Sequence, residues 1–246
     1  MNQILVTKKL YITPELKRKK KVYKFNFFLS VFLICILISF CIYAEYDRNK
    51  SEEVSQKILA DLQETTDTTV AKNNVMIVVL DEEEQSAEIV DTQSTVQTSA
   101  TTTKKTSQGY EYSTIATINI PKINVQYAII DGKTDSEEET EALLKISPVK
   151  FWGANPNEVG NFCIVGHNYR NSKFFSKVPN LTVGDTVKLT DLTGRTINYE
   201  VYDKHTVDPS DTKDTTQLTG GRKELTLITC TDDSKLRVIV RCKEVK

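Results

Sequence analysis

Glycine is missing from the first 108 residues of this 246-residue chain: all nine glycines stand at or after Gly109, and five of the six prolines stand at or after Pro121. The tight turns of a compact β domain are therefore excluded from the N-terminal part and concentrated in the C-terminal part. Histidine is scarce too, with only His167 and His205, so imidazole chemistry near neutral pH has two candidates. No CxxC pair and no His/Cys group with zinc spacing occurs, which argues against a structural metal. An excess of one charge is also lacking. With 32 basic and 33 acidic residues the formal net charge is −1, which argues against a general nucleic-acid binder.

Against these absences stands one long apolar run, "FNFFLSVFLICILISFCIYA", Phe25 to Ala44, without a single charge. Twenty helical residues at ~1.5 Å each span the ~30 Å hydrocarbon core of a bilayer. Lys8, Lys9, Lys17, Arg18, Lys19, Lys20, Lys21 and Lys24 precede it, and Glu45, Asp47, Glu52 and Glu53 follow. The positive-inside rule predicts a cytoplasmic basic N-terminus (1–24), a single transmembrane anchor (25–44) and an extracellular remainder. An uncleaved anchor is expected rather than a signal peptide, because "CIYAEYD" offers no clear small-x-small cleavage site. Five cysteines are present. Cys35 and Cys41 lie within the apolar run; Cys163, Cys230 and Cys242 form an odd set beyond it, so at least one thiol is not paired within the chain.

Residues 45–109 read as a polar extracellular stalk. "DTQSTVQTSATTTKKTSQ", Asp91 to Gln108, cannot bury enough apolar surface to fold alone, and the island "VMIVVL", Val75 to Leu80, has no assigned role. From Tyr110 the pattern changes to short runs rich in Val, Ile, Thr and Tyr between turn signals: "STIATINI", "VQYAII", "NFCIVGH", "TVKLTD", "TINYEVYDKHTV" and two terminal runs. This spacing predicts an all-β sandwich or barrel over 110–246. "DSEEETEALLKIS", Asp135 to Ser147, is the helix candidate, with acids favourable at its N-terminus. Those acids (Asp135, Glu137, Glu138, Glu139 and Glu141) read more simply as a solvated helix start than as a calcium site, which needs oxygens converging from several elements. No cofactor is expected.

The stretch "LTLITCTDDSKLRVIVRC", Leu225 to Cys242, reads as a hairpin with a thiol at the end of one strand and a guanidinium at the start of the next. A cysteine nucleophile acts as thiolate and needs an acid–base partner, which His167 or His205 could supply. An acyl transfer also needs donors for the oxyanion, and Arg237 offers a permanent charge. Alternation puts Arg237, Ile239 and Arg241 on one face and Val238, Val240 and Cys242 on the core face. Cys242 is then a small buried apolar residue. Cys163 shares parity with Val165 and His167, and reads as a core residue, a disulfide partner or a second thiol near the site.

Thr226-Leu227-Ile228-Thr229-Cys230 with Arg237 on the following strand, "GNFCIVGH" at Gly160–His167, and Leu181, Gly184 and Asp185 within "FFSKVPNLTVGDTVKLTD" together resemble the sortase family, cysteine transpeptidases of Gram-positive cell surfaces. The resemblance runs from about Tyr110 onward, nearest to the class A and class D types. No Asp-Pro-Trp-like lid is visible before Tyr110, which weighs against a pilus-assembly type. It implies a closed eight-stranded β-barrel with short helices, preceded by a single transmembrane helix. By position it implies Cys230 as nucleophile, His167 as general acid/base, Arg237 as oxyanion or substrate-positioning residue, and Thr229 as an aid in orienting the sorting signal. His205 falls outside the matched motif. The implied partners are secreted proteins bearing an LPxTG-like signal and an amine acceptor, either a lipid-linked or cross-bridge cell-wall precursor or a pilin lysine. Nucleic acid is not among them. The alternatives are a cysteine hydrolase that releases the acyl group to water, and a non-catalytic surface-binding domain in which Cys163 and Cys230 form a disulfide.

Overall fold

The structure is a computed structural model that describes residues 14–73, 103–106, 108–134 and 136–245, with the side chains of residue 16 and of 64–73 left out. The Val75–Leu80 island and Asp135 lie outside the described residues. Helix α1 runs Pro14–Asn73. It contains one stretch long and apolar enough to cross a membrane, with a mean hydropathy of 2.7 over its most apolar window. Its apolar side chains from Phe25 to Tyr43 are exposed, the arrangement expected of a helix whose solvent is lipid. An N-terminal apolar helix of this kind fits a single-pass anchor.

From Lys50 onward the chain forms a second compact unit. Its strands are β1 (Thr103–Lys105), β2 (Glu111–Ile120), β3 (Val125–Asp131), β4 (Val149–Gly153), β5 (Gly160–Val165), β6 (Thr186–Asp191), β7 (Thr196–Val207), β8 (Lys223–Cys230) and β9 (Arg237–Glu244). The hydrogen-bonded order is β1-β2-β3-β4-β5-β8-β9-β7-β6, and β2 also pairs with β6. That last pairing closes eight strands into a barrel and leaves β1 as a short strand on the outside of β2. The eight-stranded closed barrel expected of the sequence is the observed fold. Closure removes the sheet edges that would otherwise invite association.

The barrel interior is filled by alternate residues of each strand. Ile118, Ile120, Ile129, Phe162, Ile164, Leu189, Val201, Leu225, Leu227, Val238, Val240 and Cys242 all belong to one buried cluster. Cys242 therefore sits on the core face with the valines, and burial holds its thiol well above the ordinary range. Most pairings are antiparallel, but β5 lies parallel to β8, and β3 meets β4 in parallel at Ile130 and Val149. The β3–β4 link is made by helix α2, Glu137–Leu144, shorter than the sequence suggested. Ser136 caps it by accepting from the Glu139 amide. Glu139 itself turns inward and accepts from the Lys133 and Thr134 amides and the Thr134 hydroxyl, so its oxygens close a loop.

Strand β3 is apolar on both faces because both are covered. Ala128 and Ile130 lie under Leu143 and Leu144 of α2 and under Ile58 of α1. Within the segment read as a stalk, Ser55, Ile58 and Leu59 are buried and Glu52 and Leu62 are half-buried. These positions recur at three- and four-residue spacing, one stripe of a helix. Ser55 and Ser147 hydroxyls meet at 3.0 Å, and Lys104 of β1 pairs with Asp61 at 2.8 Å.

Candidate active site

Of the candidate residues, Cys230 ends β8, Arg237 opens β9, and His167 follows the end of β5 by two residues, these being neighbouring strands. In the β8–β9 ladder Cys230 is the direct partner of Arg237. Opposed residues in an antiparallel pair project to the same face with Cβ atoms ~5 Å apart. In the parallel β5–β8 ladder Val165 stands level with Ile228, and the Gly166 amide donates to the Ile228 carbonyl at 3.0 Å. His167 follows two residues beyond the end of β5, as Cys230 follows two residues beyond Ile228 on β8. Strand alternation gives Cys230 and Arg237 the same face, that of Ile228 and Ile239. This is the outer face of the barrel, where Cys163, Ile228 and Ile239 form a small buried cluster with Val165 and Val207 against it.

Two threonines of the cysteine strand stitch it to the histidine strand. The Thr229 hydroxyl is buried and donates to the Gly166 carbonyl at 2.8 Å, one residue before His167. The Thr226 hydroxyl donates to the Asn161 side-chain oxygen at 2.8 Å. Gly166 has no room for a side chain, because a Cβ there would lie 2.6 Å from Cγ of the buried Phe175 ring.

Asn168, which no sequence pattern singled out, crosses to the other side of the site. Its amide nitrogen donates to the Cys230 carbonyl and to Asp232, both at 3.0 Å. Arg170 reaches Ser234 at 2.9 Å, so the loop after β5 is tied twice to the β8–β9 turn. The turn is self-contained: Thr231 exchanges bonds with Leu236 and accepts the Ser234 amide. A search for polar residues flanking the histidine would have flagged Asn168, but its partners lie more than 60 positions away.

Cys230 and His167 are half-buried. Burial holds His167 below its ordinary value, with Glu141 of α2 pulling the other way and Lys145 adding to the depression. Its ring is backed by Tyr169, centroids 5.0 Å apart. Cys163, Cys230 and Cys242 are all free thiols. Cys163 is level with Thr226, four residues short of Cys230 along the parallel ladder. That offset is ~13 Å, beyond the ~7 Å reach of a disulfide. Burial pushes the Cys163 thiol up to about 12.

His205 stands level with Ile239 of β9, two residues from the Arg237 partner Val207. It lies on β7 between Asp203 (3.0 Å) and Asp214 (2.9 Å). Burial lowers its affinity for a proton, but the Asp214 and Asp203 carboxylates outweigh that and hold it above the ordinary value. Asp214 belongs to the loop between β7 and β8. Asn161 holds the same loop by donating to the Asp214 and Thr216 carbonyls, and Gln217 bonds the Asn161 backbone twice. Among the described residues, no group of three or more His, Cys, Asp or Glu side chains is placed to hold a metal ion.

A family model described as the Sortase domain matches residues 118–245, from the end of β2 through β9. The chain belongs to the sortase family. Solved structures similar to this sortase include the Clostridium perfringens sortase D5 transpeptidase, at 36% identity over 54% of this chain and 79% of that one, with a TM-score of 0.47. Sortase C-1 from Actinomyces oris is 27% identical over 53% of this chain and 73% of its own, TM-score 0.46. Sortase A from Corynebacterium diphtheriae is 28% identical over 54% and 61%, TM-score 0.46. No curated protein matches the chain. The family is one of cysteine transpeptidases, and the half-buried Cys230 ends the strand that carries its TLxTC motif.

Proposed function

We propose that this sortase is a membrane-tethered transpeptidase in which Cys230 is the nucleophile, His167 the general acid/base and Arg237 the oxyanion-stabilising residue. The observation that supports this reading is the direct pairing of Cys230 with Arg237 across β8 and β9, beside β5, the strand whose chain runs on into His167. The Cys230 thiolate attacks the threonine carbonyl of an LPxTG-like signal. The Arg237 guanidinium balances the charge that develops on the carbonyl oxygen. As the carbon–nitrogen bond breaks, protonated His167 gives its proton to the departing glycine amine, leaving a thioester. An incoming amine, from a cell-wall precursor or a pilin lysine, then attacks the thioester and gives a proton to His167, and the Cys230 thiolate departs.

Thr229 contributes to orienting the signal through the strand spacing that its bond to Gly166 sets. The basic residues ahead of the apolar helix orient the N-terminus to the cytoplasm, so the barrel faces the extracellular side. There a secreted substrate and a lipid-linked acceptor share the membrane surface.

The test uses the full chain in detergent with a quenched LPxTG peptide, with and without an amine acceptor. Cleavage that depends on Cys230 and yields the amine adduct is the expected outcome. Cleavage with only free acid as product, even at high amine, identifies a hydrolase. Undiminished adduct formation by Cys230→Ala refutes the assignment.

A further inference from the structure

The loop that carries His167 is held from behind by a chain of contacts that begins outside the barrel. Tyr127 of β3 is buried, and its hydroxyl donates to the Glu52 carboxylate at 2.8 Å. The same oxygen accepts the Phe174 amide at 2.9 Å. Phe174 is fully buried with a left-handed backbone, φ 49°, a conformation that a bulky residue holds only when its surroundings enforce it. The enforcement is visible. Its ring stacks on Tyr127, centroids 5.2 Å apart and 10° from parallel, and Tyr169 meets it edge-on at 5.3 Å. Tyr169 in turn lies against the His167 ring at 5.0 Å. Phe174 also bridges Asn168 in a short antiparallel contact, and the Phe175 amide donates to the His167 carbonyl at 3.0 Å.

We propose that Tyr127 is the positioning residue of the catalytic-histidine loop, and that Glu52, on the helix preceding the barrel, locks it in place. The proposal rests on the assignment of His167 as the acid/base. Glu52 is half-buried on the helical stripe whose Ser55, Ile58 and Leu59 are covered by the domain, so the carboxylate arrives already oriented. Burial, with Glu52 adding to it, raises the Tyr127 phenol far above any working pH, and it remains a donor to Glu52 throughout. Without its hydroxyl, the buried Phe174 amide loses its acceptor and the left-handed turn at Phe174 loses its main restraint. The aromatic shelf behind His167 then loosens, and the ring becomes more hydrated. The segment before Tyr110 is thereby part of the working enzyme. A catalytic fragment trimmed to 110–246 would keep the three site residues and lose the lock.

The charged groups around His167 are Glu141 of α2 and Lys145 at its C-cap; the Cys230 thiol stands on the neighbouring β8 and Arg237 on β9 beyond it. Tyr127→Phe and Glu52→Leu leave all of them unchanged. The full chain in detergent, with Tyr127→Phe, Glu52→Leu and Glu52→Gln, is treated with diethyl pyrocarbonate across pH, and modification of His167 and His205 is read separately by peptide mass spectrometry. Expected is a several-fold faster modification of His167 in Tyr127→Phe and Glu52→Leu, with its midpoint moved up toward the ordinary imidazole value. Expected also are an unchanged His205 profile and near-native behaviour of Glu52→Gln, which keeps an acceptor oxygen. With peptide substrate the same two variants lower kcat several-fold at constant KM. A fall in Tm with the His167 profile unmoved overturns the proposal, because Tyr127 then serves stability alone. If Tyr127→Phe does not fold, Glu52→Leu decides alone: an unmoved His167 profile in it overturns the lock. A wild-type chain that forms no thioester, yet shows the His167 shift in both variants, overturns the transpeptidase assignment and leaves the lock standing.

Discussion

Replacing Thr229 by Val removes one hydroxyl and leaves the shape of the side chain nearly intact. The lost bond runs 2.8 Å from Thr229 to the Gly166 carbonyl, between two buried residues. A buried acceptor stripped of its donor costs about 1–3 kcal/mol. In a domain of this size about 2–4 °C of Tm accompany each kcal/mol, so the expected fall is roughly 2–12 °C. Because the bond joins the residue before Cys230 to the residue before His167, the same variant slows thioester formation more than it weakens peptide binding. The measurements are thermal unfolding and single-turnover acylation of the full chain. Thr229→Ser, which keeps the hydroxyl, recovers most of both. An unchanged Tm together with a raised KM would refute the reasoning and assign the hydroxyl to the substrate.

Two further expectations concern the other polar anchor and the remaining thiols. The raised proton affinity of His205 means that its pairing with Asp214 and Asp203 contributes fully below the unfolded value of ~6.5 and is lost as pH rises through the folded value. Limited proteolysis between Asp208 and Arg222 should therefore accelerate on going from mildly acidic to alkaline pH, and His205→Ala should abolish that dependence; a flat profile in the native chain refutes it. Iodoacetamide at pH 8 should label Cys230 and spare Cys163, whose thiol burial pushes up to about 12, and the fully buried Cys242. Peptide mapping that finds Cys163 modified as fast as Cys230 contradicts the buried floor described for the site.

The barrel was legible because its strands are short, apolar at every second position and separated by turns. The core face of β9, with Val238, Val240 and Cys242, follows from parity alone, and those residues are in the core. Cys230 and Arg237 could be paired across a turn of six residues without further information. The pairing of β5, which leads into His167, with the cysteine strand β8 was not legible from periodicity, since a parallel β5–β8 contact joins segments some 60 residues apart. What stayed hidden has a common cause. The stripe at Glu52, Ser55, Ile58, Leu59 and Leu62 holds too few apolar residues in a polar run to announce a packed helix. Asn168 and Tyr127 act through partners 62 and 47 positions away. Composition and spacing register local regularities, and a hydrogen bond across a closed barrel leaves no such trace.

The position of β9 between β8 and β7 makes it the strand that completes the cylinder. β9 pairs with β8 from Arg237 to Lys243 and with β7 from Arg237 to Glu244, and without it the cylinder stays open between β7 and β8. The β8–β9 hairpin is local, but the β7–β9 ladder runs from Val207 with Arg237 to Tyr199 with Glu244. Such pairings form more slowly, because the entropy of closing the loop is paid before any contact repays it. A chain made from its N-terminus thus presents β5 first, β8 later and β9 last. Cys230 meets Arg237 only when β9 is in place, so that pairing and the completion of the barrel are one event.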